Sequence, residues 1–119
     1  MTFAGMDDRI AIENEMPWEA RDLPKTLYHL LARTAKKHPD NKAISYQLLS
    51  GPRDPAETLT WAQLLARTSQ AANLFRSLGV GEKDVVACVL PNCTETFVTI
   101  LGGAIAGIVN PINPLLEPE

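Results

Sequence analysis

Two cysteines, two histidines and an aromatic share of only 6% leave little from which to build a reactive site, and each scarcity removes a class of protein. Cys88 and Cys93 are too few for a disulfide framework, and their C-x4-C spacing lacks the further Cys or His that a zinc site requires. A reducing cytoplasm is therefore the expected compartment. Basic charge is also sparse: 11 Lys and Arg against 14 Asp and Glu give a net charge of -3, which excludes the phosphate-neutralising surface of a nucleic-acid binder. The one basic cluster, Lys36, Lys37 and His38, falls where a helix should end and complements the dipole there. No apolar run approaches the roughly 20 residues needed to span a bilayer. The stretch from Phe97 to Val109 carries Thr99 and three glycines and reads as a buried crossover helix instead.

Phosphate-binding loops are missing too. No G-x-x-x-x-G-K-[ST] occurs, and in "LGVGEKD" Asp84 stands where the third glycine of G-x-G-x-x-G would be. That turn enters a strand, whereas a phosphate loop leaves a strand and opens a helix at its positive end. It reads as a helix C-cap followed by a tight turn. The opening "MTFAGMDDRIAIENEMPWEARDLP" has no basic region followed by an apolar one, so it is not a secretory signal. Residues 1–22 are expected to form a loosely held arm.

What is present is an ordinary globular composition, 45% apolar and 21% charged over 119 residues, enough for one core. Leu27, Leu30, Leu31 and Ala35 line one face of a helix that Thr26 caps and Pro39 stops. "KAISYQLL" reads as a strand leading into the turn-rich "SGPRDPAE", with Thr58 and Leu59 returning as a short partner. In "LTWAQLLARTSQAANLFRSLGVG", Trp61, Leu64, Leu65, Thr68, Ala72, Phe75 and Leu78 form one continuous helical face. Thr60 with Gln63 makes a capping box, Leu59 against Leu64 a hydrophobic staple, and Gly79 a left-handed stop.

"VVACVL", Val85 to Leu90, has no alternation and predicts a strand covered on both faces. Pro91 ends it, and Asn92 is expected to cap a helix with Glu95 at N3. Phe97, Val98, Leu101, Ala104, Ile105 and Ile108 should supply its buried face, Gly107 its stop, and "IVNPI" a further strand. Gly102 and Gly103 weaken this helix by about 1 kcal/mol each relative to alanine, a cost consistent with close packing. Gly103 and Gly107 make a G-x-x-x-G that suits a helix approaching a sheet. The last three elements form a βαβ unit, and the fold class is α/β.

Two side chains could carry chemistry. Cys93 at a helix start could have an activated thiol, but neither His29 nor His38 is near it in sequence. His29 lies among polar neighbours and reads as exposed. From the residues alone there is no nucleophile with a base, no acid–base pair and no metal cluster.

Taken in order, "LPKTLYHLLARTAKKHPDNKAISY" and "LTWAQLLARTSQAANLFRSLGVGEKDVVACVLPNCTETFVTILGGAIAGIVNPINPLL" resemble the beginning of the AMP-forming, acyl-activating synthetases. That superfamily includes acyl-CoA synthetases, luciferases and peptide-synthetase adenylation domains. "RSLGVGEKDVVACVLPN" and "INPLLEP" look closest to bacterial fatty-acyl-CoA synthetases. The resemblance implies that residues 23–119 are a partial N-terminal piece of the large adenylate-forming domain. It also implies a parent that uses ATP, Mg²⁺ and coenzyme A, and whose chain would continue for several hundred residues. The family's phosphate loop, its aromatic-Thr-Glu motif, its ribose-binding Asp and its late lysine have no matching positions here. No catalytic, cofactor-binding or metal-binding residue is therefore assigned, and the segment alone is expected to be inactive. The expected partners are the remainder of a synthetase chain or, through exposed apolar faces, a second copy; a non-catalytic interaction module is the alternative.

Overall fold

The computed structural model describes residues 4–49 and 51–115. Helix α1 (Met6–Glu15) and a single 3-10 turn (Trp18–Ala20) precede α2 (Leu27–Lys37) and the hairpin β1 (Lys42–Gln47) and β2 (Ala56–Thr60). Next come α3 (Trp61–Ser77), β3 (Val85–Val89), α4 (Thr94–Ala106) and β4 (Ile108–Ile112). Strands β1 and β2 pair antiparallel, with a register shift between Lys42 and Ile44, whereas β3 and β4 pair parallel across α4. The α/β expectation and the βαβ unit are observed.

The arm contains a helix that its composition did not announce. Asp7 and Asp8 favour the positive end of α1, and Asp8 accepts from the amides of Ala4 and Gly5. Even so α1 buries no residue. Its attachment is polar: Arg21 reaches back to donate to the Ile12 carbonyl at 2.8 Å and the Met16 carbonyl at 3.3 Å.

Helix α3 is the best-anchored element because all four of its orphan N-terminal amides are satisfied. The Thr60 and Gln63 amides exchange bonds with each other's side chains, at 3.0 and 3.3 Å. Trp61 N donates to Asn41 O and Ala62 N to Pro39 O, so the loop after α2 completes the cap. At the other end Gly79 has φ +93°, Gly79 N donates to Arg76 O and Val80 N to Phe75 O, which is a Schellman stop. Thr26 caps α2 through the His29 amide, and the Lys36–His38 cluster closes it as expected.

The core is small: Leu31 and Ala35 of α2, Leu59 of β2, Leu64, Thr68 and Ala72 of α3, Cys88 of β3, and Thr94 and Ala106 of α4. Leu59 and Leu64, the expected staple, are each 3% exposed. Several apolar expectations fail at the edge of this core. Leu30 is exposed, and so is Leu78, which is the C-cap of α3 and lies beyond its last helical residue.

In α4 the buried residues are Thr94, Gly102, Gly103 and Ala106, not the larger apolar ones; Phe97 and Ala104 are exposed, and Ile108, expected on this helix face, is instead the exposed first residue of β4. The reason is close approach. A Cβ on Gly102 would lie 2.7 Å from Ala71 Cβ of α3, and one on Gly103 would lie 3.3 Å from Val109 and 3.4 Å from Val86 of the sheet. Gly102 thus seats α4 on α3, and Gly103 seats it on β3 and β4. The helix cap is also corrected: Cys93, not Asn92, is the N-cap. Thr96 rather than Glu95 then occupies N3, and its hydroxyl donates to Pro91 O.

Strand β3 is covered on one face only. Val85, Ala87 and Val89 are exposed, because α4 packs against the opposite face, that of Val86 and Cys88.

Candidate functional site

The polar constellation that sequence reading missed joins three elements. Glu57 on β2 accepts from Arg67 of α3 at 3.1 Å through Oε1 and from the Thr94 hydroxyl of α4 at 2.6 Å through Oε2. Thr94 is 2% exposed, so its hydroxyl has given up water for this one charged acceptor. The Thr94 hydrogen bond and then the Arg67 guanidinium hold the Glu57 carboxyl below its ordinary range. A carboxylate so held is a weak base and makes a structural tie between hairpin and crossover. No local pattern could have signalled it, since Glu57 and Thr94 are 37 positions apart.

A cavity of about 430 Å³ lies between α2, α3 and α4. Thr26, Tyr28 and His29 come from the start of α2, Asn73 and Arg76 from α3, and Ile105 from α4. His29 is exposed, as expected, and its ring meets that of Tyr28 at 6.0 Å. Arg76 donates from Nη2 to Ile105 O at 3.0 Å, which satisfies a carbonyl in the last turn of α4 and opposes the negative end of its dipole. The one guanidinium in the cavity is thereby engaged in helix capping.

Cys93 is half-buried, and its Sγ lies 3.2 Å from Thr96 Oγ1. The Thr96 hydrogen is directed to Pro91 O, so the thiol must be the donor in this pair. Cys88 is also free and is buried.

The glycine turn before β3 is not an open phosphate cradle. The Gly81 amide, which a phosphate would need, donates to Asp84 Oδ2 at 2.8 Å, so a carboxylate already occupies the turn. Among the described residues no group of three or more His, Cys, Asp or Glu converges to hold a metal ion. No helix among them is long and apolar enough to cross a membrane.

A capped helix and hairpin leading into a glycine-seated parallel βαβ unit make up a piece of a layered α/β domain. Residues 31–119 match the family model described as AMP-binding enzyme, and the chain belongs to that family.

Among curated relatives, it is 34% identical over 92 residues to a marinolic acid–CoA ligase of Pseudoalteromonas sp. (strain SANK 73390), a match covering 77% of this chain and 14% of the relative. It is 31% identical over 115 residues to a long-chain-fatty-acid–CoA ligase of Bacillus subtilis (strain 168), covering 87% of this chain and 19% of the relative. Among solved structures, a Mycobacterium tuberculosis fatty acyl CoA synthetase superposes with a TM-score of 0.63 at 28% identity, over 77% of this chain and 17% of that one. The chain thus spans less than one fifth of the length of these relatives.

Proposed function

We propose that this chain supplies the N-terminal scaffold of an ATP-dependent fatty-acyl-CoA synthetase and performs no adenylation by itself. In the parent reaction a carboxylate would attack the α-phosphate of ATP, releasing pyrophosphate, and the thiol of coenzyme A would then displace AMP, with Mg²⁺ balancing phosphate charge. The observation that carries the reading is how the matched segment uses its distinctive residues. Gly102, Gly103 and Gly107 all serve close packing, and the Gly81 turn is closed by Asp84.

Its partner would be the remaining polypeptide of such a synthetase, with self-association where the same surface stays bare. Two free thiols agree with a cytoplasmic setting. The exposed face of β3 favours a second reading, a non-catalytic interaction module. ATP–pyrophosphate exchange with long-chain fatty acids tests the first. The expected rate for the purified chain is that of a protein-free control, and fatty-acid-dependent exchange would refute the proposal.

A further inference from the structure

The β3–β4 sheet has a bare face and two unequal edges. Its register pairs Val85 with Ile108, Ala87 with Asn110 and Val89 with Ile112 on that face; the four branched side chains Val85, Ile108, Val89 and Ile112 are 54%, 50%, 58% and 38% exposed and flank the exposed Asn110. Ile108 N donates to Asp84 O at 2.9 Å, which sets the phase of the ladder. Backbone groups alternate in direction along a strand. Asp84, Val86 and Cys88 therefore face β4, while Val85, Ala87 and Val89 direct both N–H and C=O outward. Among the described residues none of those three has a backbone partner on that side. The outer edge of β4 is different, because Val109 and Pro111 are its outward residues and Pro111 has no N–H to offer. Of the two edges of this sheet among the described residues, that of β3 is the unbroken one.

We infer that the outer edge of β3, with the apolar face formed by Val85, Val89, Ile108 and Ile112, docks a strand and a covering apolar element from the remainder of an adenylate-forming domain. This rests on the scaffold reading above. A second copy is the poorer occupant. A two-fold pairing of β3 with its counterpart would satisfy the edge, but both copies carry the same two-stranded sheet, so the pairing brings no layer to cover the face. Parallel sheets are stable when both faces are covered. The relatives are more than five times as long as the matched stretch and so hold ample chain to supply both strand and cover. The accessible surface agrees: 9188 Å² against about 6,300 Å² for a compact 13 kDa protein.

The test is co-expression of this chain with the Bacillus subtilis ligase deleted for the stretch that matches it, followed by affinity capture and amide exchange. The expected result is a one-to-one complex in which the amides of Val85, Ala87 and Val89 become protected. Intact ligase, whose own segment fills the site, should capture none. Val85→Lys with Val89→Lys should lower capture at least about tenfold, because it places charge in a face that would be buried. Both positions are exposed in the free chain, so its circular dichroism should be unchanged. Ala87→Pro, which removes one edge donor, should do the same.

Absence of capture, or protection at Val109 without protection at β3, would overturn the inference. A doubled sedimentation mass for the chain alone with β3 amides already protected would assign the edge to a second copy and overturn the choice of occupant. None of these outcomes touches the scaffold reading, which fails only on exchange activity by the chain alone.

Discussion

Replacing Gly107 with alanine tests whether the crossover is held by close backbone approach. Gly107 has φ -162°, extended backbone open to any residue, so space and not conformation is at issue. A Cβ there would lie 2.5 Å from Gly81 O and 2.6 Å from Asp84 O, where ordinary contact begins near 3.4 Å. Both obstacles are backbone, and Asp84 O also accepts from Ile108 N, the bond that opens the β3–β4 ladder. Relief must therefore move the turn or break that bond. Overpacking of this kind costs about 1–3 kcal/mol and the lost hydrogen bond about 1 kcal/mol, for a total of roughly 2–4 kcal/mol. That is a large share of the stability of a chain with so small a core, and should lower the melting temperature by on the order of 10 °C.

The control is Gly81→Ala, whose Cβ meets only the movable end of Asp84 at 3.3 Å. It should change stability by about 0.5 kcal/mol or less. Urea unfolding followed at 222 nm measures both. A Gly107→Ala midpoint equal to that of Gly81→Ala would refute the packing argument.

Further outcomes follow from Thr68 and from the Glu57 tie. Thr68 is 0% exposed and its Oγ1 has no partner among the described residues. Thr68→Val should therefore leave stability unchanged or raise it by up to about 1 kcal/mol, and a loss would reveal a bond to the hydroxyl. Glu57 has a lowered pKa in the folded chain, so its contribution is present above the unfolded carboxylate pKa and disappears as pH falls through the folded one. Stability measured from pH 7 downward should show an acid-side decline that Glu57→Gln flattens. Thr94→Val should flatten it as well, since the Thr94 hydrogen bond is the first cause of the shift; an unaltered profile in both variants would exclude the tie.

Local chemistry made much of this fold legible. The Thr60–Gln63 box, the Thr26 cap, the Gly79 stop and the Pro91 break each act over a few residues, so the chain alone determines where α2, α3 and β3 begin or end. The order strand, helix, strand likewise pointed to a βαβ unit, which the parallel pairing of β3 with β4 bears out. The cap of α4 was misplaced by one residue because Asn92 and Cys93 both precede a polar first turn, and the Thr96 bond to Pro91 O decided between them.

Burial was the quantity that sequence could not supply. "VVACVL" is apolar throughout, yet only one side of β3 is covered, because coverage depends on which elements are near in space. The glycines of α4 announced a close approach without saying to what; tertiary structure assigned Gly102 to α3, Gly103 to the sheet and Gly107 to the Gly81–Asp84 turn. The Glu57–Arg67–Thr94 tie was invisible for the same reason. Its three residues belong to three elements, and only the packing of α4 on α3 beside the hairpin brings their charges and hydroxyl within hydrogen-bond distance.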